Sequence, residues 1–195
     1  SDPTQRIIEH GITLVATGGQ EHRGSAYGLG SDPRIITQGD LEQRLAAGGE
    51  QVAPSSVVML QCIGPWDEEG NEADFYCSRI CCSVAVKNAL RIKEQSPQAQ
   101  IFVLYNRDIR TYGFQETLYT RAREAGVVFL RYEEGSQPEI AINPSTSLGT
   151  GDPLQVTVRD EVLGRVVTLS PDLLVLSEAI APAEGSRALA ELLKF

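Results

Sequence analysis

The chain has 195 residues, 42% of them hydrophobic and 22% charged, which is about one ordinary domain with a sizeable core rather than a disordered chain. Its 17 basic and 26 acidic side chains leave a net charge of −9. That argues against nucleic-acid binding and against docking on an anionic membrane, both of which need a surplus of Lys and Arg. No apolar run approaches the ~18 residues of a spanning helix and no secretory leader pattern opens the chain, so a cytoplasmic setting is expected. The chain starts at Ser1 and Met59 is its only methionine, which is the pattern of a piece of a longer protein.

Along the chain, Ile12–Thr17 is a short apolar run closed by Gly18 and Gly19, the mark of a buried strand. Gln20–Pro33 is glycine-rich and loop-like, and Arg34–Ile36 forms a brief strand. Thr37 with Asp40 three residues later is a capping-box pattern, opening a helix that carries Leu41 and Leu45 and ends near Gly48 and Gly49. Ser56–Gln61 is a continuous apolar run of parallel-strand type. Gly64–Asp74 is a loop with carboxylates at Asp67, Glu68, Glu69, Glu72 and Asp74. Ser78–Gln95 turns helical, with Cys81, Cys82, Ala85, Val86, Ala89, Leu90 and Ile92 on one stripe. Ile101–Tyr105 is a second buried strand, Gln115–Ala125 a helix stopped by Gly126, and Val127–Leu130 a third strand. Strand, helix, strand, helix, strand predicts a parallel βαβαβ unit.

The later segments differ. Pro138–Asn143 predicts a strand and Pro144–Pro153 a mobile loop. Leu154–Arg159 and Arg165–Leu169 alternate as a hairpin joined near Gly164. Asp172–Ser177 is another buried strand, and Ser186–Lys194 starts a helix. The expected fold is α/β: a Rossmann-like three-layer domain with a mostly parallel central sheet and a β-hairpin or meander.

All four cysteines fall between Cys62 and Cys82, at C-x14-C-x3-C-C spacing with Cys77 and Cys81 between them. Cys62 is expected to end a strand, with the other three at the start of the next helix. Cys77 and Cys81 share a helix face if Cys77 lies within the first turn. A helix N-terminus carries about +0.5 charge and lowers nearby thiol pKa values, and Arg79 lies in the same turn. Such a set suits an iron–sulfur cluster. It is also open to Zn²⁺, or to buried core thiols with no ligand. Adjacent cysteines are awkward joint ligands for one small tetrahedral ion, whereas a cluster spreads its iron atoms. In a dinucleotide-binding domain this strand–helix turn carries G-x-G-x-x-G. Here that fingerprint is absent and the acidic residues would repel dinucleotide phosphates. No nucleophile–base–orienter set for hydrolysis is visible, so no catalytic residue is assigned.

The stretch VVMLQCIGPWDEEGNEADFYCSRICCSVAVKNALRIKE, followed by IFVLYNRDIRTYG and FQETLYTRAREAGVVFL, resembles the A subunit of heterodisulfide reductase. It also resembles the related flavoprotein subunits of quinone-interacting oxidoreductase complexes. The similarity covers most of residues 56–130. VATGG is similar to the A-T-G turn at the chain crossover of flavoproteins with two dinucleotide folds. DLLVLSEAIAP resembles the returning crossover, with Ser177-Glu178-Ala179 replacing the usual Thr-Gly pair. The resemblance implies the second dinucleotide-type domain of FAD/NAD(P)-dependent, pyridine nucleotide-disulfide reductase-like flavoproteins. Residues 1–36 would cross from a flavin-binding domain, residues 37–180 would form the Rossmann-like domain with the cysteines, and residues 181–195 would return toward the flavin domain. It implies a 4Fe-4S cluster on Cys62, Cys77, Cys81 and Cys82, and contact of Ala16, Thr17 and Gly18 with FAD in the full-length protein. The function implied is electron transfer between that cluster and FAD, beside other subunits of a redox complex. The chain would then be an internal fragment of an oxidoreductase, inactive alone and prone to lose its cluster. The competing expectation is a zinc-stapled Rossmann-like interaction domain without redox activity.

Overall fold

The computed structural model describes residues 9–48, 54–64, 77–133, 135–142 and 153–194. The acidic stretch from Asp67 to Asp74, and all but Pro153 of the loop expected over Pro144–Pro153, lie outside them. In chain order the elements are β1 (Gly19–Glu21), β2 (Ile35–Thr37), α1 (Gln38–Ala47), β3 (Ser56–Ile63), α2 (Cys81–Gln95), β4 (Gln100–Tyr105), α3 (Glu116–Glu124), β5 (Val128–Arg131), β6 (Glu139–Ile142), β7 (Leu154–Asp160), β8 (Arg165–Leu169), β9 (Leu173–Glu178), β10 (Ile180–Pro182) and α4 (Ser186–Leu193). The chain divides into two compact units, residues 21–180 and residues 1–20 with 181–195.

In the larger unit, five strands form a parallel sheet in the order β2-β9-β3-β4-β5. The apolar runs dictate this. Val57, Val58, Met59 and Leu60 of β3 are all 0% exposed, as a strand buried on both faces requires. Each such side chain contributes about 1.5–3 kcal/mol by burial. One face of the sheet packs Val57, Met59, Val103 and Val175 against Leu41 of α1, Ala85 and Ala89 of α2, and Ala122 of α3. The other face packs Val58, Leu60, Leu104, Leu174 and Leu176 against Leu154, Val156 and Val158 of β7. Strands β6, β7 and β8 form an antiparallel meander. Three layers result: helices, parallel sheet, meander.

A buried polar chain ties the helical layer to the sheet. Asn88 Nδ2 of α2 donates to Gln38 Oε1 (3.0 Å) and to the Gln38 carbonyl (3.2 Å), and Gln38 Nε2 donates to Ser177 Oγ of β9 (3.2 Å). At the edge of the sheet, Asp172 Oδ2 accepts from the backbone N–H of Ser55 and of Ser56, both at 2.9 Å.

The capping box is present: Thr37 accepts from the Asp40 N–H at 3.2 Å, and Asp40 Oδ2 accepts from the Thr37 N–H at 3.1 Å. Thr37 also donates to Glu21 Oε2 (2.6 Å), whose other oxygen accepts from Gly39 N–H (2.8 Å). Two acidic side chains therefore serve the orphan donors of one helix start.

In the smaller unit, Ser186 Oγ at the start of α4 donates to Thr17 Oγ1 at 3.2 Å, and the Ala183 N–H donates to the Gly18 carbonyl at 3.4 Å. The strands β1 and β10 pair with each other. The strand expected over Ile12–Thr17 does not form: these residues have no regular structure and all are exposed, Leu14 to 89%. An apolar run becomes a strand only where backbone partners exist, and the described part of this unit offers them at β1 instead.

Burial raises the Asp40 carboxyl, but hydrogen bonds from Arg23 and Thr37 outweigh it and hold the group below the ordinary carboxylate range. A depressed folded-state pKa contributes stability that is full above the unfolded value of about 3.9 and lost as pH falls through the folded one. Asp40→Asn is expected to cost about 0.5–1 kcal/mol near neutral pH and close to nothing in strong acid. Urea unfolding of both proteins at the two pH values measures this.

Candidate functional site

The carboxyl edge of the parallel sheet gathers the cysteines. Strand β3, expected to end at Cys62, runs one residue further to Ile63. Its register with β9 shifts between Leu60 and Ile63, and Cys62 takes φ +61°. A non-glycine residue in this left-handed region costs about 1–2 kcal/mol, and such strain is found where a side chain must be aimed.

Helix α2 starts at Cys81, later than the Ser78 expected, so Cys77 lies outside the first turn. The shared-face argument for Cys77 and Cys81 therefore fails. The reason is Arg79, at φ +59°, which turns the chain between the two cysteines. The turn nonetheless achieves what the helix face was expected to do. Cys62, Cys77 and Cys81 line one small cavity of about 20 Å³, with Ile63, Gly64, Ser78, Ser177, Glu178 and Ala179. This is room for little more than one water molecule. Cys82, 2% exposed, is not among these lining residues and is hydrogen-bonded to Cys81. None of the four is in a disulfide. Among the described residues, no three or more Cys, His, Asp or Glu side chains converge as the ligands of a single ion would.

The electrostatics follow from crowding thiols in a buried place. Burial first, and then Cys81 and Cys77, push Cys62 up to about 12 against the pull of Arg107 and Arg110. Cys81 is lowered to about 6, chiefly by the hydrogen bond from Cys82 and also by Ser78 and backbone N–H groups. Cys82, as the donor, is pushed far up. The N-cap of α2, Ile80, has no capping side chain, so the first-turn N–H groups are left to the thiolate. The metal-free chain thus carries one favoured thiolate, Cys81, beside two thiols, Cys62 and Cys82, that resist ionising. A bound cation removes that conflict, since a coordinated thiol is deprotonated outright.

Other buried polar groups cluster at the same edge. The side chain of Gln61 in β3, Asn106 Oδ1 just after β4, and both oxygens of Glu178 at the end of β9 have no hydrogen-bond partner among the described residues. Glu178 is 1% exposed. Burial and the Glu21 carboxylate raise it to about 7, against the pull of Arg23. Sequence reasoning passes over Gln61 and Glu178, because nothing in a strand's pattern distinguishes a polar residue aimed at a site from one at a surface.

The flavin-contact candidates Ala16, Thr17 and Gly18 lie in the smaller unit, exposed, with Gly18 at φ +69°.

Fold and site together define a three-layer α/β domain with a parallel sheet and thiols at the carboxyl edge of that sheet. L-lysine 6-monooxygenase from Pseudomonas syringae shares the fold, with a TM-score of 0.51 at 13% identity over 86% of this chain and 45% of that one. No protein-family model matches the chain. The iron-sulfur A subunit of CoB–CoM heterodisulfide reductase from Methanocaldococcus jannaschii is 34% identical over 206 residues, which is 98% of this chain and 30% of that protein. The A subunit of the H(2):CoB-CoM heterodisulfide,ferredoxin reductase from Methanothermobacter thermautotrophicus is 33% identical over 96% of this chain and 29% of that protein. The chain belongs to the family of heterodisulfide reductase A subunits and spans about 30% of the length of the curated relatives it matches. No helix among the described residues is long and apolar enough to cross a membrane.

In the metal-free reduced chain, Cys81 is expected to be the first cysteine alkylated by iodoacetamide, at a rate that rises through about pH 6 and then levels. Cys82→Ala removes the hydrogen bond and moves that midpoint upward. Peptide mapping after limited alkylation across pH checks both.

Proposed function

We propose that this chain is an electron-transfer segment of a heterodisulfide-reductase-like flavoprotein, in which Cys62, Cys77, Cys81 and Cys82 hold a 4Fe-4S cluster. The observation that carries this reading is the convergence of Cys62, Cys77 and Cys81 on one cavity, with Cys82 hydrogen-bonded to Cys81. They meet where a dinucleotide-binding domain seats its phosphates. The donor set fits. Four thiols are the usual ligands of such a cluster, and the adjacent Cys81 and Cys82 are awkward joint ligands of one small tetrahedral ion. The cavity is smaller than a cluster, so loading requires the thiols to part.

When bound, a cluster supplies reversible one-electron chemistry. The chain's own residues do the rest. The sheet edge and α2 fix the sulfurs and exclude water. Arg107 and Arg110 favour the ionised form of Cys62, and Ser78 with the first-turn N–H groups favours that of Cys81. We read residues 1–36 and 181–195 as the crossover and return of a flavin domain, with Ala16, Thr17 and Gly18 against FAD in the parent protein. The relatives are named as A subunits, and the parent would work in the cytoplasm beside other subunits of a redox complex.

Anaerobic reconstitution is expected to give about four iron and four sulfide per chain with a brown visible absorption. Cys81→Ser and Cys82→Ser should each lose that absorption. One zinc and no sulfide per chain would instead identify a zinc-stapled structural domain.

A further inference from the structure

Charge is divided unevenly along this acidic chain. Residues 77–131 hold nine of the 17 basic side chains but only four of the 26 acidic ones. Positive charge is therefore concentrated on the stretch that forms α2, β4, α3 and β5. The same stretch leaves large apolar side chains in solvent. Ile80, just before α2, is 50% exposed, and Tyr112 and Phe114, before α3, are 64% and 87% exposed. One exposed apolar side chain is ordinary, but several together mark a surface that another molecule covers.

Here they meet at a groove. Arg79, Ile80, Val84 and Lys87 line it from the α2 side and Gln115 and Leu118 from the α3 side, around a volume of about 270 Å³. Phe114 leads into it as the residue before Gln115. Ser83 Oγ donates to Gln115 Oε1 and so ties the two helix starts together. Lys87 is held only by Glu42 at 2.7 Å, a half-exposed surface pair, and such a pair yields to a better-placed anion at small cost. The groove also begins at the cysteines, because Arg79 and Ile80 are the two residues before the half-buried Cys81.

We propose that this groove seats an acidic protein, a one-electron carrier that presents carboxylates to Arg79 and Lys87 and an apolar spot to Ile80 and Phe114. Aromatic side chains and arginine are the residues enriched at protein interfaces. A small protein can cover this face alone, whereas a nucleic acid or an anionic membrane would extend past it to the acidic remainder of the chain. Redox partners meet over small areas, below about 1,200 Å², and local charge steers them together. Electron transfer falls steeply with distance, and a carrier seated here stands beside Cys81. One electron then passes between the carrier and the group on the cysteines, so that one is oxidised as the other is reduced. The partner's role as a carrier rests on the reading under Proposed function; the docking does not.

The test uses oxidised flavodoxin, a small acidic one-electron carrier, titrated calorimetrically into the anaerobically reconstituted chain. Binding is expected to weaken as salt rises from about 0.01 M to 0.15 M, where screening shortens from about 30 Å to 8 Å. Repulsion by the net charge of −9 would give the opposite trend. Lys87→Glu and Phe114→Ala are each expected to weaken binding about tenfold, and Arg79→Asn, which suits the left-handed backbone at φ +59°, to weaken it also. Arg165→Glu on β8 makes the same change in net charge as Lys87→Glu away from the groove and is expected to leave binding unaltered. Equal losses in Arg165→Glu and Lys87→Glu, or binding that strengthens with salt, would overturn the proposal. Self-association of the chain that Phe114→Ala abolishes would overturn it in favour of a second copy, and binding to phosphatidylglycerol vesicles but not to flavodoxin in favour of a membrane. No flavodoxin binding by a chain with full iron and sulfide would overturn the docking alone. A chain that takes up no iron and sulfide would overturn the reading under Proposed function, and with it the partner's role as a carrier.

Discussion

The site depends on the burial of β3 and β9 on both faces of the sheet. These neighbouring strands sit between helices on one side and a meander on the other, and Val57 to Leu60 and Leu174 to Leu176 are buried almost completely. Strands so enclosed have no freedom to slide, because a one-residue slip would exchange the apolar sets of the two faces. Their carboxyl ends are therefore fixed points, and Cys62 and Glu178 are placed by the core rather than by local loop chemistry. The register shift before Ile63 is the small departure that the rigid frame permits, and it serves to aim Cys62.

The second constraint is the start of α2. Arg79 turns the chain between Cys77 and Cys81, and the uncapped helix start leaves backbone donors for sulfur rather than for a Ser or Asp side chain. Together with the hydrogen bond from Cys82, this yields one favoured thiolate, Cys81, beside Cys62 and Cys82, which resist ionisation. Such an arrangement is poorly satisfied without a cation and well satisfied with one, which is how a metal group contributes to the stability of the fold that holds it.

Most of the frame is legible in the sequence because its elements announce themselves by pattern. The runs at 56–61, 101–105 and 172–177, the Thr37 and Asp40 capping box, the Gly126 stop and the alternating hairpin all appear within a residue or two of their expected places. Ile12–Thr17 does not, because apolar composition says nothing of whether a partner strand is at hand. The position of Cys77 outside α2 is also hidden, since an arginine in the left-handed region leaves no mark in residue type. Glu178 is hidden for a different reason. Its burial depends on the register with β3, and register is a property of two strands far apart in sequence.

The central claim is that the four cysteines enclose a multi-iron group at the carboxyl edge of the sheet. An anomalous difference map at the iron absorption edge, from crystals of the reconstituted chain grown without oxygen, tests it most directly. The account predicts a strong peak bounded by the sulfurs of Cys62, Cys77, Cys81 and Cys82. A single peak at the zinc edge, or a disulfide among these residues with no iron signal, would contradict it.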